Sequence, residues 1–458
     1  MKNDLTRLLS ASVYLDDLFR TKILALAKDR YHAIAESLGL DSKLILEHAI
    51  IAEKKNRQIY YVLFIPAILL FFVIMSVLNS YDNETPVAIA LVLLTVSCIL
   101  VCYFDAGNRK YLLKNFTKGN FTTSSNLDNP LLNSIQEKTS ENVVCYSGFS
   151  PFVGRGVEAG AWSFVVDIDR GIKSFDKTLK PEKFEVEELY EIISKNILSL
   201  NIPNLTIEDK ILVNGKKIRN DRFFLPKINK YPINKISDVD FEMVSKNENT
   251  DIRRYKLIEV TAWEGDLVFS NFIRFQKNDT SLFIESNSFL LPPIADTFRE
   301  IENLRNLSGF RETLFWIIGN VLKTFFMLPF SIFKVFSYFQ SSLSDSLGFE
   351  KAEIEKQVIR SNNYNYGAET SIRESVAQKY YLQHFQKLDK EMHQKTIEKR
   401  IFNCLGDFLE SKGIDTSDFK DRETSILNSG VIVTGGNLNT NNMTVGKKSK
   451  ISFSEKKE

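Results

Sequence analysis

The chain has 458 residues, with 59 Lys and Arg against 57 Asp and Glu. This exceeds the length of one ordinary domain, and a formal charge of +2 leaves no general excess to hold a phosphate backbone, so no nucleic-acid partner is expected. A hydrophobic share of 44% beside 25% charged residues excludes a disordered chain, and the apolar residues concentrate in three stretches.

Residues 1–58 carry Leu5, Leu8, Leu9, Leu15, Leu18, Phe19, Ile23 and Leu26 at helical spacing, which predicts an N-terminal cytoplasmic helical region. Gly39 followed by Asp41 reads as a stop and an N-cap, so a further helix is expected from about Ser42. Residues 59–78 and 87–104 contain no charge. Each run reaches across a hydrocarbon layer of about 30 Å at about 1.5 Å per helical residue, which predicts a transmembrane helical hairpin over 59–104. Lys54, Lys55 and Arg57 precede the pair and Arg109, Lys110, Lys114 and Lys118 follow it, while the turn between has neither Lys nor Arg. By the positive-inside rule both ends are cytoplasmic, as in a multi-pass protein of a bacterial inner membrane. Residues 105–141, rich in Asn, Ser, Thr and Lys, read as a linker.

The pattern turns to strands over 142–300, in NVVCY, WSFVVDI, KILVNGKKI, RRYKLIEVTAW, LVFSNFIRF and SLFIESNSFLL, with one helix at 186–198. Asn214-Gly215 reads as a hairpin turn, and strands joined by turns predict a cytoplasmic α+β domain with an antiparallel sheet. The loop GFSPFVGRGVEAGAW is the place where ligand chemistry is expected, through Gly154, Arg155 and Gly156, with Asp167 downstream. A phosphate loop needs a helix opening directly after its glycines, whereas a strand follows here, so a glycine-rich β–β connection competes with that reading. Asp167 and Asp169 share one face of the strand and end it beside Arg170, as a cation site or a solvated strand end. No metal, cofactor or catalytic set is predicted. The four cysteines, Cys98, Cys102, Cys145 and Cys404, lack metal-knuckle spacing, and the β-rich region has no histidine to serve as a base.

Residues 301–345 contain the third apolar stretch, LFWIIGNVLKTFFMLPFSIFKVFSYF. Asn320, Lys323, Thr324, Ser331 and Lys334 fall in one narrow helical arc and phenylalanines fill the rest. This predicts an amphipathic helix in the membrane interface, with Trp316, Phe326 and Phe330 toward the acyl chains, Lys323 and Lys334 toward anionic headgroups, and a kink at Pro329 that allows a re-entrant shape. A helix packed in the domain core and a third span are the alternatives. Residues 346–427 are expected to be helical, with the capping box SIRE (Ser371, Glu374) opening a long helix that Gly413 ends. The Gly/Asn-rich tail 428–458 reads as two or three short strands, either one β-solenoid coil that stacks between copies into a homo-oligomer, or a polar tail with one nascent hairpin.

The segments RYHAIAESLGLDSKLILEHA, YSGFSPFVGRGVEAGAWSF, KLIEVTAWEGDLVFSNFIRF, LFIESNSFLLPPI and FLESKGIDTSDFKDRETSILNSGVIVTGGN resemble an uncharacterised, actinobacteria-type family of two-span membrane proteins with a C-terminal Gly/Asn-rich motif. That resemblance implies no activity and no site residue. The leading expectation is a non-enzymatic inner-membrane scaffold, sensor or effector in stress response or phage defence, partnered by the lipid bilayer and with no small-molecule ligand identified. The alternatives are a membrane-tethered enzyme or nucleotide-binding module using loop 148–160, and a self-assembling effector that permeabilises the membrane.

Overall fold

The computed structural model describes residues 3–79, 84–121, 127–174, 177–178, 180–247, 249–304, 307, 309–347 and 349–429. In chain order the elements are α1 (Asn3–Leu15), α2 (Asp17–Lys28), α3 (Ser42–Asn79), α4 (Glu84–Asn115), α5 (Pro130–Lys138), β1 (Val143–Tyr146), β2 (Val157–Asp167), β3 (Lys173–Ser174), β4 (Lys177–Thr178), α6 (Val186–Leu198) and β5 (Leu205–Asn214). Then come α7 (Asp238–Lys246), β6 (Ile252–Ala262), β7 (Leu267–Lys277), β8 (Ser281–Leu291), α8 (Glu300–Asn303), α9 (Phe310–Leu347), α10 (Phe349–Arg360), α11 (Ile372–Ser375), α12 (His384–Ser411) and α13 (Ser417–Ser429). They form two compact units: a helical one from Met1–Thr139, Gly215–Asn234 and Ala295–Ile372, and a sheet unit from Ser140–Asn214, Lys235–Ile294 and Arg373–Glu458.

In the helical unit, Asp16 caps α2 by accepting from the amides of Leu18 and Phe19. Its other end is held by a buried lysine. Lys138, at the end of α5, donates from Nζ to the carbonyls of Leu26 (3.1 Å), Ala27 (3.0 Å) and Asp29 (2.5 Å), satisfying acceptors that a helix C-terminus leaves open. The stretch expected to be linker therefore contains a helix with a structural task.

Asp29 accepts from the amides of Tyr31 (2.9 Å) and His32 (3.2 Å) and meets His32 Nδ1 at 2.7 Å. Burial pushes this carboxyl upward, but those hydrogen bonds outweigh it and hold it at about 2. A carboxyl depressed on folding contributes stability that is present above its unfolded pKa, near 4, and lost as the pH falls toward 2. Asp29→Asn is expected to flatten this acid limb by up to about 1 kcal/mol, allowing for screening of a partly exposed group. Urea unfolding of both proteins at pH 6 and pH 3 measures the difference.

The expected transmembrane hairpin is not supported. Among the described residues no single helix is long and apolar enough to cross a membrane. The two apolar runs belong to α3 and α4, whose basic ends continue as helix through Lys54, Lys55 and Arg57 and through Arg109, Lys110 and Lys114. Part of their apolar surface serves contact between helices: Tyr60, Leu63, Ala67, Leu94, Cys98 and Val101 form one cluster with Leu328 of α9. The turn at 80–83 lies outside the described residues.

The sheet unit holds a six-stranded sheet in the order β1-β5-β6-β7-β8-β2. It is mixed where an antiparallel sheet was expected, because β1 pairs in parallel with β5, Val143 beside Ile211 and Cys145 beside Val213. The Asn214-Gly215 pair turns no hairpin. β5 ends there and the chain enters the helical unit, where a side chain at Gly215 would stand 2.3 Å from the backbone of Gly367. One face of the sheet is covered by α6, α12 and α13, with Trp162, Phe164, Ile273 and Ile284 against Ile193, Ile401, Phe402 and Phe419. On the other face Val144, Leu212, Tyr255, Leu257, Phe272 and Phe289 gather around the loop residues Phe152 and Val153.

Candidate functional site

Helix α9 is built inside out. Its buried side carries Thr313, Ile317, Thr324, Leu328 and Ser331, whereas Phe315, Phe326, Phe330, Phe333 and Phe336 are 65–75% exposed. The narrow arc read from the sequence is divided. Thr324 and Ser331 point into the helical unit and Lys323 and Lys334 lie exposed. The inward hydroxyls are satisfied locally: Thr324 donates to the carbonyl of Asn320 at 3.1 Å and stands 3.2 Å from Cys102 Sγ, and Ser331 donates to the carbonyl of Leu328 at 2.6 Å. Small polar groups thus lie inward beside Ile317 and Leu328, and large apolar groups stand outside.

The axis of α9 turns by 58° between Phe310–Leu328 and Phe330–Ser341, a pair that together meets the length and composition of a membrane segment. Pro329 lies at the bend and supplies no amide for the helical ladder. Both ends of the bent helix meet the basic end of the α3–α4 pair. Trp316 is half-buried with the Arg109 guanidinium 5.2 Å from its ring, and the Arg57 guanidinium lies 5.0 Å from Tyr338, whose hydroxyl accepts from Asn56 at 3.4 Å. Leu328, beside the bend, is fully buried in the apolar cluster. Lys334 Nζ lies 6.0 Å from the Tyr60 ring. Basic and aromatic groups thus meet near both ends of α9, and exposed phenylalanines run along its outer side.

The glycine loop is arranged differently from a phosphate cradle. Gly154 and Gly156 have φ of +85° and +82° and turn their amides to one side. A carboxylate of the chain already fills the place: Glu374 accepts from Gly154 N at 3.0 Å and from Gly156 N at 3.1 Å. Arg155 is 3% exposed and paired with Glu259 of β6. Phe152 packs 4.7 Å from the rings of Phe272 and Phe289, fixing the loop on the sheet. Glu374 was expected to close a capping box. The helix it opens, α11, lasts four residues, and α12 starts afresh behind the capping box of Gln383 and Gln386. Glu374→Ala leaves two loop amides unpaired, a cost of about 2 kcal/mol. The variant is expected to melt lower and to recover part of the loss in millimolar sulfate, an effect absent from wild type, as differential scanning fluorimetry measures.

Asp167 is not brought to this loop. It ends β2, eleven residues beyond Gly156 and about 35 Å away at roughly 3.3 Å per residue. There it lines a cleft of about 220 Å³ with Arg170, Asp415, Ser417, Asp418 and Arg422. Arg170 meets Asp167 at 3.3 Å and Asp418 at 3.9 Å, but all three side chains are largely exposed, so these pairs contribute little.

Among the described residues no group of three or more His, Cys, Asp or Glu side chains could hold a metal ion. The four cysteines are free and buried, and burial pushes Cys404 up to about 11. The tail 430–458, on which the expected assembly through short strands rests, lies outside the described residues.

No curated protein and no solved structure matches the chain. The model of one protein family does, over residues 161–441, a span that takes in most of β2, strands β5 to β8, α9 and α12 and covers more than half of the sequence. The chain therefore belongs to the AbeC-like domain family.

Proposed function

We propose that the protein is a non-enzymatic, membrane-associated scaffold, sensor or effector of a bacterial plasma membrane, held to the bilayer by the outward face of α9. The observation that carries this reading is the inverted helix: Thr324 and Ser331 inside, five phenylalanines outside. In water such a face costs free energy for each ring, whereas at the acyl boundary the same rings stabilise binding. Arg57, Arg109, Lys323 and Lys334 lie along or beside the helix, where each basic residue adds about 1 kcal/mol of attraction to an anionic surface. Nucleotide binding by loop 148–160 has less support, because Glu374 holds the loop amides and Glu259 holds Arg155.

Flotation of the full chain with liposomes tests the proposal. Binding is expected to vesicles of phosphatidylcholine and phosphatidylglycerol at 3:1, and weaker binding to phosphatidylcholine alone. Protein that stays at the bottom of the gradient with both compositions contradicts it.

A further inference from the structure

One face of the sheet carries polar side chains where its neighbours are apolar. Asn271, fully buried, donates from Nδ2 to Ser286 Oγ at 2.7 Å and Ser288 Oγ at 2.9 Å. Alternation along β7 and β8 puts all three on the side of Phe269, Ile273, Leu282 and Ile284, under α12. The strand register carries the row onto β2, with Gly160 opposite Ser288 and Trp162 opposite Ser286. Helix α12 covers it. Gln394 Nε2 lies 3.0 Å from where a Cβ on Gly160 would stand and donates to Glu398 at 3.0 Å, and Phe402, one turn on, stacks against Trp162 at 4.7 Å.

Two atoms in this row have no hydrogen-bond partner among the described residues: Asn271 Oδ1, an acceptor, and Trp162 Nε1, a donor, in residues 0% and 5% exposed. Leaving either unpaired in a core is destabilising, and apolar residues of similar shape would avoid it. The adjoining turn is strained as well. Trp263 and Glu264 are non-glycine residues with φ of +54° and +57°, and Trp263 Nε1 donates to Asp389 Oδ2 at 2.9 Å, five residues before Gln394 on α12. Unpaired buried polar atoms recur at binding sites, as does left-handed backbone such as that at the adjoining strand end. Burial raises the Glu398 carboxyl and lowers the His393 imidazole on the covering helix.

The geometry points to a ligand site between β2, β7, β8 and the N-terminal half of α12. It would take a small uncharged molecule whose adjacent donor and acceptor, as in a carboxamide, meet Asn271 Oδ1 and Trp162 Nε1. Saturation-transfer NMR on the full chain, with acetamide and benzamide at millimolar concentration, tests it. Transfer to at least one probe is expected from wild type, falling at least fivefold in Trp162→Phe and in Asn271→Leu. Asn271→Leu also takes the donor from the buried Ser286 and Ser288 hydroxyls and is expected to melt lower than wild type, whereas Trp162→Phe removes an unpaired donor and leaves those hydrogen bonds intact. Trp162→Phe preserves an aromatic ring against Phe402, so it decides the matter if Asn271→Leu fails to fold. No transfer from wild type, or equal transfer from wild type and Trp162→Phe, overturns the assignment.

Discussion

Gly156→Ala is expected to unfold the sheet unit. The residue sits at φ +82°, where an alanine costs about 1–2 kcal/mol over glycine. The added Cβ would stand 2.3 Å from the Leu290 carbonyl oxygen and 2.9 Å from Leu291 Cα, both backbone atoms of β8, so no side chain can rotate away. Relief requires parting β2 from β8 where Val157 pairs with Leu290. A loss above about 4 kcal/mol is expected, which lowers the melting temperature by about 10 °C or more. Gly148→Ala is the control: nothing lies within 4 Å of its added Cβ, and its melting curve should overlay that of wild type. Circular dichroism melts of the three proteins make the comparison.

The largest functional effect is expected from the outer face of α9. Phe326, Phe330 and Phe333 are each at least two-thirds exposed, so replacing all three with serine removes no buried contact and should leave the melting temperature unchanged. At a bilayer each ring contributes about 1 kcal/mol or more, and the triple variant should bind 3:1 vesicles at least 100-fold more weakly. Exchange of Thr324 and Ser331 for leucine should do the reverse, disturbing the packing against α3 and α4 while leaving the outer face intact. Equal vesicle binding by wild type and the triple variant would place the contact elsewhere.

Much of the architecture was legible from local pattern. The helix at 186–198 and the strand at 281–291 follow their periodicities closely, because each is a continuous segment with one mainly buried face, and the strand at 267–275 was legible as an apolar run bounded by turns, buried on both faces. The parallel pairing of β1 with β5 was not legible, since it joins segments more than sixty residues apart and no turn residue encodes it. Nor was the role of Asn214-Gly215, where the glycine serves a close approach to Gly367 instead of a hairpin. The apolar runs at 59–78 and 87–104 carried their helices but not a membrane crossing, since length and hydropathy do not distinguish a core helix from a span. For the candidate sites, the amphipathic period of α9 was readable, whereas the sense of its polar stripe was set by the packing of Thr324 and Ser331 on neighbouring helices. Glu374 was missed as the partner of Gly154 and Gly156 because 218 residues separate it from the loop. The serines in SLFIESNSFLL were read only as part of a strand, and it is the register that joins them to Asn271 and Trp162.

The claim that the outer rings of α9 meet lipid is open to one direct measurement. The four native cysteines are buried, so a cysteine placed at Phe333, itself 75% exposed, can be labelled selectively with an environment-sensitive nitrobenzoxadiazole dye. On adding 3:1 phosphatidylcholine and phosphatidylglycerol vesicles the emission is predicted to rise, shift to the blue and become shielded from iodide. A spectrum and an iodide sensitivity at position 333 that stay the same with and without vesicles would contradict the account.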